Sequence, residues 1–367
     1  MSVLHEREQA FAEEAGETSA LPGSNKMGRV AMLRRVLVAV AMVMAMAAPA
    51  AGQTDAEWQK VIAAARKEGR LVLYTASIGS PFYKEVARTF EAKYGIRVEA
   101  LEARASEIRE RVRIEQAAGR FIADVHHNGA TTTWLMQQEG ALQPHGGVPN
   151  ARNVMPPYEA DDVRLPSDVT SFVILINRTM VKEADEPKSW KDMLDPKWTG
   201  KILADDMRAL GGGAVFFAVT HDLFGKAFHE KLAAQKLVFS RDLRNNERRT
   251  ARGEYPLYFP FVLAYYTQIK NLPVKVVIPD EGRLYVRFDL AMLKNAPHPN
   301  AARLFMHHFL EVESQLVYAN AGYSPVVKGV LERSSPDMRP FLATKAMGTT
   351  VPERQTEMLE LAKQLYK

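Results

Sequence analysis

The chain has 367 residues, long enough for two domains of ordinary size. Its hydrophobic content of 47% and charged content of 25% are those of a folded globular protein. A net charge of +5 without a basic stripe argues against nucleic acid as a partner, and the absence of cysteine excludes disulfides, thiolate metal sites and a lipid-bearing cysteine.

At the N-terminus, Arg29, Arg34 and Arg35 precede an apolar run from Val36 to about Ala48, followed by the small residues Ala48-Pro49-Ala50. This is the layout of a secretory signal peptide cleaved near Ala50 to Gly52, and the run is short for a membrane anchor. Residues 1–52 are therefore read as an N-terminal extension and signal peptide, with translation expected to start at Met27 or Met32. An exported, cysteine-free, unlipidated chain suggests a Gram-negative periplasm.

From Asp55 the pattern alternates. "DAEWQKVIAAARKEG" reads as an amphipathic helix and "RLVLYTA" as a strand. "SPFYKEVARTFEAKYG" is a helix with Phe82, Val86, Phe90 and Tyr94 spaced by four, and "IRVEALEA" is a strand. "SEIRERVRIEQAAG" is a helix with Ser106 as its cap, "FIADVHHNG" a strand and "TTTWLMQQEG" a helix. Such alternation predicts a parallel sheet with crossover helices, and sheets of this kind bind ligands at the carboxyl ends of their strands. Those ends are "TASIGS" and "HHNGATT". A polar, proline-bearing passage (144–167) precedes the strand "SFVILINR". "ALGGGAVFF" opens an apolar helix, "RDLRNNERRTARGE" is a charged passage, and "PFVLAYYTQIK" reads as a helix with Leu263, Tyr266 and Ile269 facing inward. The fold class is α/β, with two domains between which the chain passes more than once.

The segments "PKSWKDMLDPKWTGKILADD", "RTARGEYPL", "LPVKVVIPDEG" and "KNAPHPNAARLFMHHFLEVESQ" carry a resemblance. The mature chain resembles the periplasmic substrate-binding proteins of ABC transporters, in the branch that includes ferric-iron-, thiamine- and phosphonate-binding proteins. That resemblance implies a two-lobed periplasmic-binding-protein fold with a hinge and an interlobe cleft. Lobe one is expected over 53–170 plus 281–318, and lobe two over 171–280 plus 319–367. It also implies a small-molecule solute as ligand, an inner-membrane ABC permease as partner and a packing role for Trp190 and Trp198. A monomer is expected.

For the ligand, Gly211, Gly212 and Gly213 at a helix start offer backbone N–H groups to an anion, with Arg208 just before them; the alternative is a plain turn. Ser77 is read as a ligand donor and Ser80 as a helix cap. Asn128 closes a strand where the family places a ligand contact, and Tyr258 either walls a pocket or packs in the core. His126 and His127 on a strand point to opposite faces, and His307 and His308 are adjacent on a helix, so neither pair has chelating spacing. No zinc, calcium or nucleotide motif is present and no cofactor is expected. There is no G-x-S-x-G, H-E-x-x-H or cysteine nucleophile, and a pair such as Asp205-Asp206 is common on surfaces, so no enzyme is expected.

The adjacent Tyr265 and Tyr266 raise a second reading. In iron-binding relatives two such tyrosines act with a histidine near the end of the first strand and an acidic ligand. Here "YTASIGS" offers only hydroxyls. Each phenol must also lose a proton against a reference pKa of about 10 before it can hold a trivalent ion. The first expectation is thus an anionic organic solute, with ferric iron on Tyr265 and Tyr266 as the alternative transported ligand.

Overall fold

The first helix, Asp55–Glu68, has Asp55 and Glu57 in its first turn and Arg66 and Lys67 in its last, which suits the helix dipole. It buries Trp58, Val61 and Ala65 along one face. A computed structural model describes this helix and the rest of residues 55–367. The expected leader 1–52 and the start at Met27 or Met32 lie outside the described residues.

The strands are β1 (Arg70–Thr75), β2 (Arg97–Glu102), β3 (Val125–Gly129), β4 (Leu142–Gln143), β5 (Arg164–Asn177) and β6 (Ile202–Asp205). They continue with β7 (Val238–Ser240), β8 (Leu257–Val262), β9 (Val274–Val277), β10 (Arg283–Leu293) and β11 (Ala346–Gly348). They form one sheet in the order β2-β1-β3-β10-β5-β8-β6-β7; β9 pairs with β5, and β4 and β11 pair with β10. At one end β2, β1 and β3 run parallel, joined by helices, as the alternation predicts. At the other end β8, β6 and β7 are parallel. The long strands β5 and β10 are antiparallel to each other and link these two groups, β10 to β3 and β5 to β8.

Burial follows this division only in part. A small apolar cluster gathers Tyr74, Ile108, Val112 and Met136. Of the two larger ones, the first includes Trp58, Phe90, Phe305 and Phe309, with Phe90 and Phe305 meeting edge to face at 5.2 Å, and also takes in Leu203, Tyr258 and Phe261. A second includes Trp190, Phe216, Phe217 and Phe259, closed by Met358 and Tyr366 near the C-terminus. Trp190 and Trp198 are buried in it, in the packing role the resemblance implies. Tyr265 and Tyr323 pack against both clusters.

Local signals act largely as read. Ser80 caps the helix Pro81–Tyr94, its Oγ accepting from Phe82 N at 3.3 Å, and Gly95 ends it at φ 72°. Within that helix Tyr83, Val86, Ala87 and Phe90 are buried, while Phe82 and Tyr94 are half-buried at its edges.

Three readings change. Ser106 is not a cap: the helix starts at Ala105, and the Glu107 carboxylate accepts from Arg104 N at 3.0 Å instead. The strand expected at "SFVILINR" begins earlier, at Arg164, and so takes in Pro166 and Asp168. Proline is accommodated because Pro166 pairs with Asp289 at a register shift in the β5–β10 ladder. Finally, Pro260–Val262 is strand and not helix; only a 3₁₀ turn, Leu263–Tyr265, and the short helix Tyr266–Ile269 follow. Extended pairing of Phe261 and Val262 with Val173 and Phe172 overrides the helical spacing.

Candidate functional site

Parallel strands leave their last residues at one edge of the sheet, where ligands bind in open α/β folds. In the β1–β3 group this edge carries a buried polar hub around His127. Its Nε2 lies 2.9 Å from Asp168 Oδ1 and 3.0 Å from Ser167 Oγ. Its Nδ1 lies 3.2 Å from Thr75 Oγ1 and 3.4 Å from Ser77 Oγ. Thr75, His127 and Asp168 are buried; Ser77 is half-buried and Ile78 beside it is exposed. The neighbouring Asn128 is fully buried. Its Oδ1 accepts from Gly129 N at 2.9 Å, and its Nδ2 has no hydrogen-bond partner.

In the β8–β6–β7 group the corresponding edge is organised by Asp205. Its Oδ2 accepts from Gly213 N at 2.8 Å and its Oδ1 from Asp206 N at 3.0 Å. Burial raises this carboxyl to about 6, although both N–H donors oppose the rise. The glycines have a steric reason. A Cβ on Gly213 would stand 2.6 Å from the Asp205 backbone oxygen, and one on Gly212 would stand 2.6 Å from the Phe172 ring. Helix Gly212–Phe224 thus packs directly onto the end of β6, and the Gly213 N–H is already used.

Arg208, expected beside these glycines, is indeed close in sequence, but its fork is occupied. Nε donates to Asp206 Oδ1 at 2.8 Å, Nη2 to Oδ2 at 3.1 Å and Nη1 to the Tyr366 carbonyl at 3.2 Å.

Tyr258 on β8 is buried, and its hydroxyl has no hydrogen-bond partner; Asn246 lies near it outside bonding geometry. Burial raises its phenol far above the ordinary value, and the charges of Asp205 and Glu247 act in the same direction. Tyr265 lies beside it, also raised first by burial, with Arg244 opposing. Tyr266 turns away and meets Phe341 edge to face at 5.7 Å. Tyr323 joins the two sides: burial raises its phenol most, Asp168 and Tyr265 add to the rise, and Arg244 opposes it. Ser77 and Asn128 therefore sit at one set of strand ends and Arg208 and Gly211–Gly213 at the other, with Tyr258 near the start of β8.

The sequence reading missed His127 as a hub, Asp168, Arg244, Glu247 and Tyr323. Asp168 was concealed in a proline-bearing passage that reads as loop. Arg244 and Glu247 stood in a charged passage, where only their i,i+3 spacing hinted at a one-sided arrangement. His126 is buried on β3 with both ring nitrogens unpartnered, and His307 packs on Trp58 at 4.8 Å. Among the described residues, no three His, Cys, Asp or Glu side chains converge where a metal ion could be held.

The family described as "Bacterial extracellular solute-binding protein" matches residues 85–344. An uncharacterized protein of Haemophilus influenzae is 28% identical over 134 residues, which is 35% of this chain and 39% of that one. The chain thus spans about two fifths of that relative. Among solved structures, a Trichodesmium protein in complex with iron and citrate superposes with a TM-score of 0.68 at 19% identity, covering 82% of this chain and 100% of that one. The apo ferric ion-binding protein A of Pasteurella haemolytica gives 0.70 at 16% identity, covering 81% and 98%. A GABA receptor structure gives 0.67 at 18% identity, covering 81% and 96%. The architecture shared with them is the two-lobed fold of periplasmic binding proteins.

Proposed function

The chain belongs to the bacterial extracellular solute-binding proteins, and from that premise we propose that it captures a small anionic organic solute between its lobes and delivers it to an inner-membrane ABC permease. Its family and structural neighbours are binding and transport proteins. The lobes of this proposal are 53–170 plus 281–318 and 171–280 plus 319–367, and the working form is a periplasmic monomer released from its signal peptide.

The observation that carries the anionic reading is the unspent donor at the end of β3. Asn128 Nδ2 is fully buried without an acceptor. A buried unsatisfied donor costs about 1–3 kcal/mol, which a carboxylate or phosphonate oxygen would recover. Ser77 adds a hydroxyl on the same side. From the other side come the Tyr258 hydroxyl and the exposed first glycine of the Gly211–Gly213 turn, while Arg208, expected beside them, is spent on Asp206 and the Tyr366 carbonyl. Binding by both lobes gains contacts only when they close.

Ferric iron is the second reading, supported by the iron named for structural neighbours and by Tyr265 standing between the two cores. Against it, the loop after β1 has hydroxyls where a histidine is needed, and burial makes the Tyr265 proton harder to remove.

The test is a thermal-shift screen of the metal-stripped protein against organic acids, phosphonates, thiamine, polyamines and ferric citrate. A ligand at 100 times its Kd adds about 2.7 kcal/mol of apparent stability. Stabilisation by acids supports the anionic reading. Stabilisation by ferric iron alone, with a tyrosinate charge-transfer colour lost in Tyr265→Phe/Tyr266→Phe, replaces it with the iron reading.

A further inference from the structure

Resting on the anionic reading, we propose that Arg244, with its guanidinium over the ring of Tyr265, is the residue that reads the solute's negative group. Its guanidinium carbon lies 3.5 Å from the Tyr265 ring centroid, against 4.8 Å for the Arg208–Phe239 pair. A guanidinium stacked at that distance is fixed in plane, so its outer N–H groups form a preorganised fork for a carboxylate or phosphonate.

Arg244 has the donors to spare. Nη1 donates to Gln268 Oε1 at 3.1 Å, and Glu247 Oε1 stands at 3.6 Å, beyond hydrogen-bonding distance. Among the described residues Nε and Nη2 have no hydrogen-bond partner, and the side chain is 46% exposed. Three other arginines near the strand ends are committed, and Arg241, exposed just past β7, faces the Asp205 and Asp206 carboxylates. Arg208 is bonded to Asp206 and the Tyr366 carbonyl. Arg283 is buried and donates to Ser171, Ser324, Thr344 and the Leu342 carbonyl. Arg287 pairs with Asp289.

Arg244 stands in the first turn of the helix Leu243–Ala251, whose start Asp242 caps by accepting from Asn245 N at 3.1 Å. That turn follows the end of β7, on the same edge as the ends of β6 and β8. Tyr265 beneath it packs against both apolar cores. Arg244, Tyr265 and Asp168 each act electrostatically on Tyr323, which packs against both cores, and Asp168 leads through His127 to Ser77 on the opposite side. A solute seated on the Arg244 fork therefore meets hydroxyl donors of the β1–β3 edge within one polar neighbourhood. Tyr265 is a positioning residue here: its ring, not its oxygen, is what the fork needs.

The experiment uses the full mature chain with citrate, succinate, inorganic phosphate and methylphosphonate as probes, and dimethyl succinate and putrescine as uncharged and cationic counterparts. Affinities are measured by calorimetry for the wild type, Arg244→Gln, Arg244→Lys, Arg208→Gln, Tyr265→Phe and Tyr265→Leu. Circular dichroism melts without ligand report folding. The expected result is that the anion that binds the wild type loses at least tenfold in Arg244→Gln and less in Arg244→Lys. Arg208→Gln should stay within about threefold, Tyr265→Phe should be unchanged, and Tyr265→Leu should be weakened. If Arg208→Gln abolishes anion binding while a folded Arg244→Gln retains it, the assignment of Arg244 is overturned and the anionic reading survives. If Tyr265→Phe loses binding as fully as Tyr265→Leu, the phenol oxygen and not the stacked ring is at work, which also overturns it. If putrescine or dimethyl succinate binds and none of the four anions does, or none of the six compounds binds the wild type, the anionic reading falls and the assignment of Arg244 with it.

Discussion

At the scale of single residues, Gly213 makes the sharpest steric demand. Its missing Cβ lets the helix Gly212–Phe224 rest on the Asp205 and Asp206 backbone, with atoms 2.6 Å from where a methyl would stand. Gly213→Ala should cost roughly 1–3 kcal/mol, because backbone atoms cannot rotate out of the way; urea titration measures the loss, and an unchanged midpoint would refute the close-packing account. Buried histidines set the response to acid. Burial lowers His126 to about 3, His229 to about 3 and His307 to about 4, against an ordinary 6.5. Below pH 6.5 the unfolded chain therefore binds more protons, and stability falls as pH drops from about 6.5 toward 4. Asp205 and Asp289, both raised by burial to about 6, act oppositely: the folded state takes up their protons between about 6 and 3.8. Histidine loss should thus dominate between pH 6.5 and 6 and be partly offset below. His126→Leu should flatten the slope between pH 6.5 and 5 by up to about 1.4 kcal/mol per pH unit, read from urea titrations at pH 7, 6 and 5.

Among the elements, the C-terminal helix Gln355–Leu365 closes the second core with Met358 and Ala362. Just beyond it, the Tyr366 hydroxyl lies 2.7 Å from His229 Nδ1, whose Nε2 lies 3.0 Å from Thr220 Oγ1. Tyr366→Phe should leave a buried ring nitrogen unpartnered and cost about 1–3 kcal/mol, measured by thermal or urea unfolding. The β1–β3 alternation, the Ser80 cap and the glycine-led helix were legible because each rests on contacts within a dozen residues. Other features depend on distant pairing. β5 takes in Pro166 and Asp168 only because it bulges at Ser167, opposite Phe288 and Asp289 of β10. Tyr265 sits on a 3₁₀ turn only because Phe261 and Val262 are drawn into the sheet. Asp206 is only two residues from Arg208, but Tyr366 beside Arg208, and Tyr265 and Gln268 beside Arg244, were beyond sequence reading for the same reason. Arg208 and Arg244 both lie in arginine-bearing runs, and the arrangement of Asp206, Tyr366 and Tyr265 in space decides which guanidinium is spent.

For the whole molecule, a solute held from both sides predicts closure. Small-angle scattering should give a smaller radius of gyration with a saturating ligand than without. An unchanged radius, with binding established by calorimetry, would rule out hinge closure. Among its solved neighbours, one is named for iron and citrate and another for GABA, so the shared frame does not dictate cargo. On the proposed reading, choice of cargo lies in side chains at the strand ends, which can change without disturbing either core.

The long antiparallel pair β5–β10 also bears on how such a molecule can exchange parts with its relatives. Strands β6 to β9 form an insertion between β5 and β10 along the chain, while the tail comes back to pack Met358, Ala362 and Tyr366 on the inserted half. One recombination crossover inside the insertion would join a β5 from one ancestor to a β10 from another and mismatch the bulge at Phe288 and Asp289. Two crossovers flanking 178–282 would keep that ladder whole but place a foreign core beneath a resident C-terminal helix. Viable chimaeras should therefore need a third junction near residue 350, so that the insertion and the helix that seals it are inherited together.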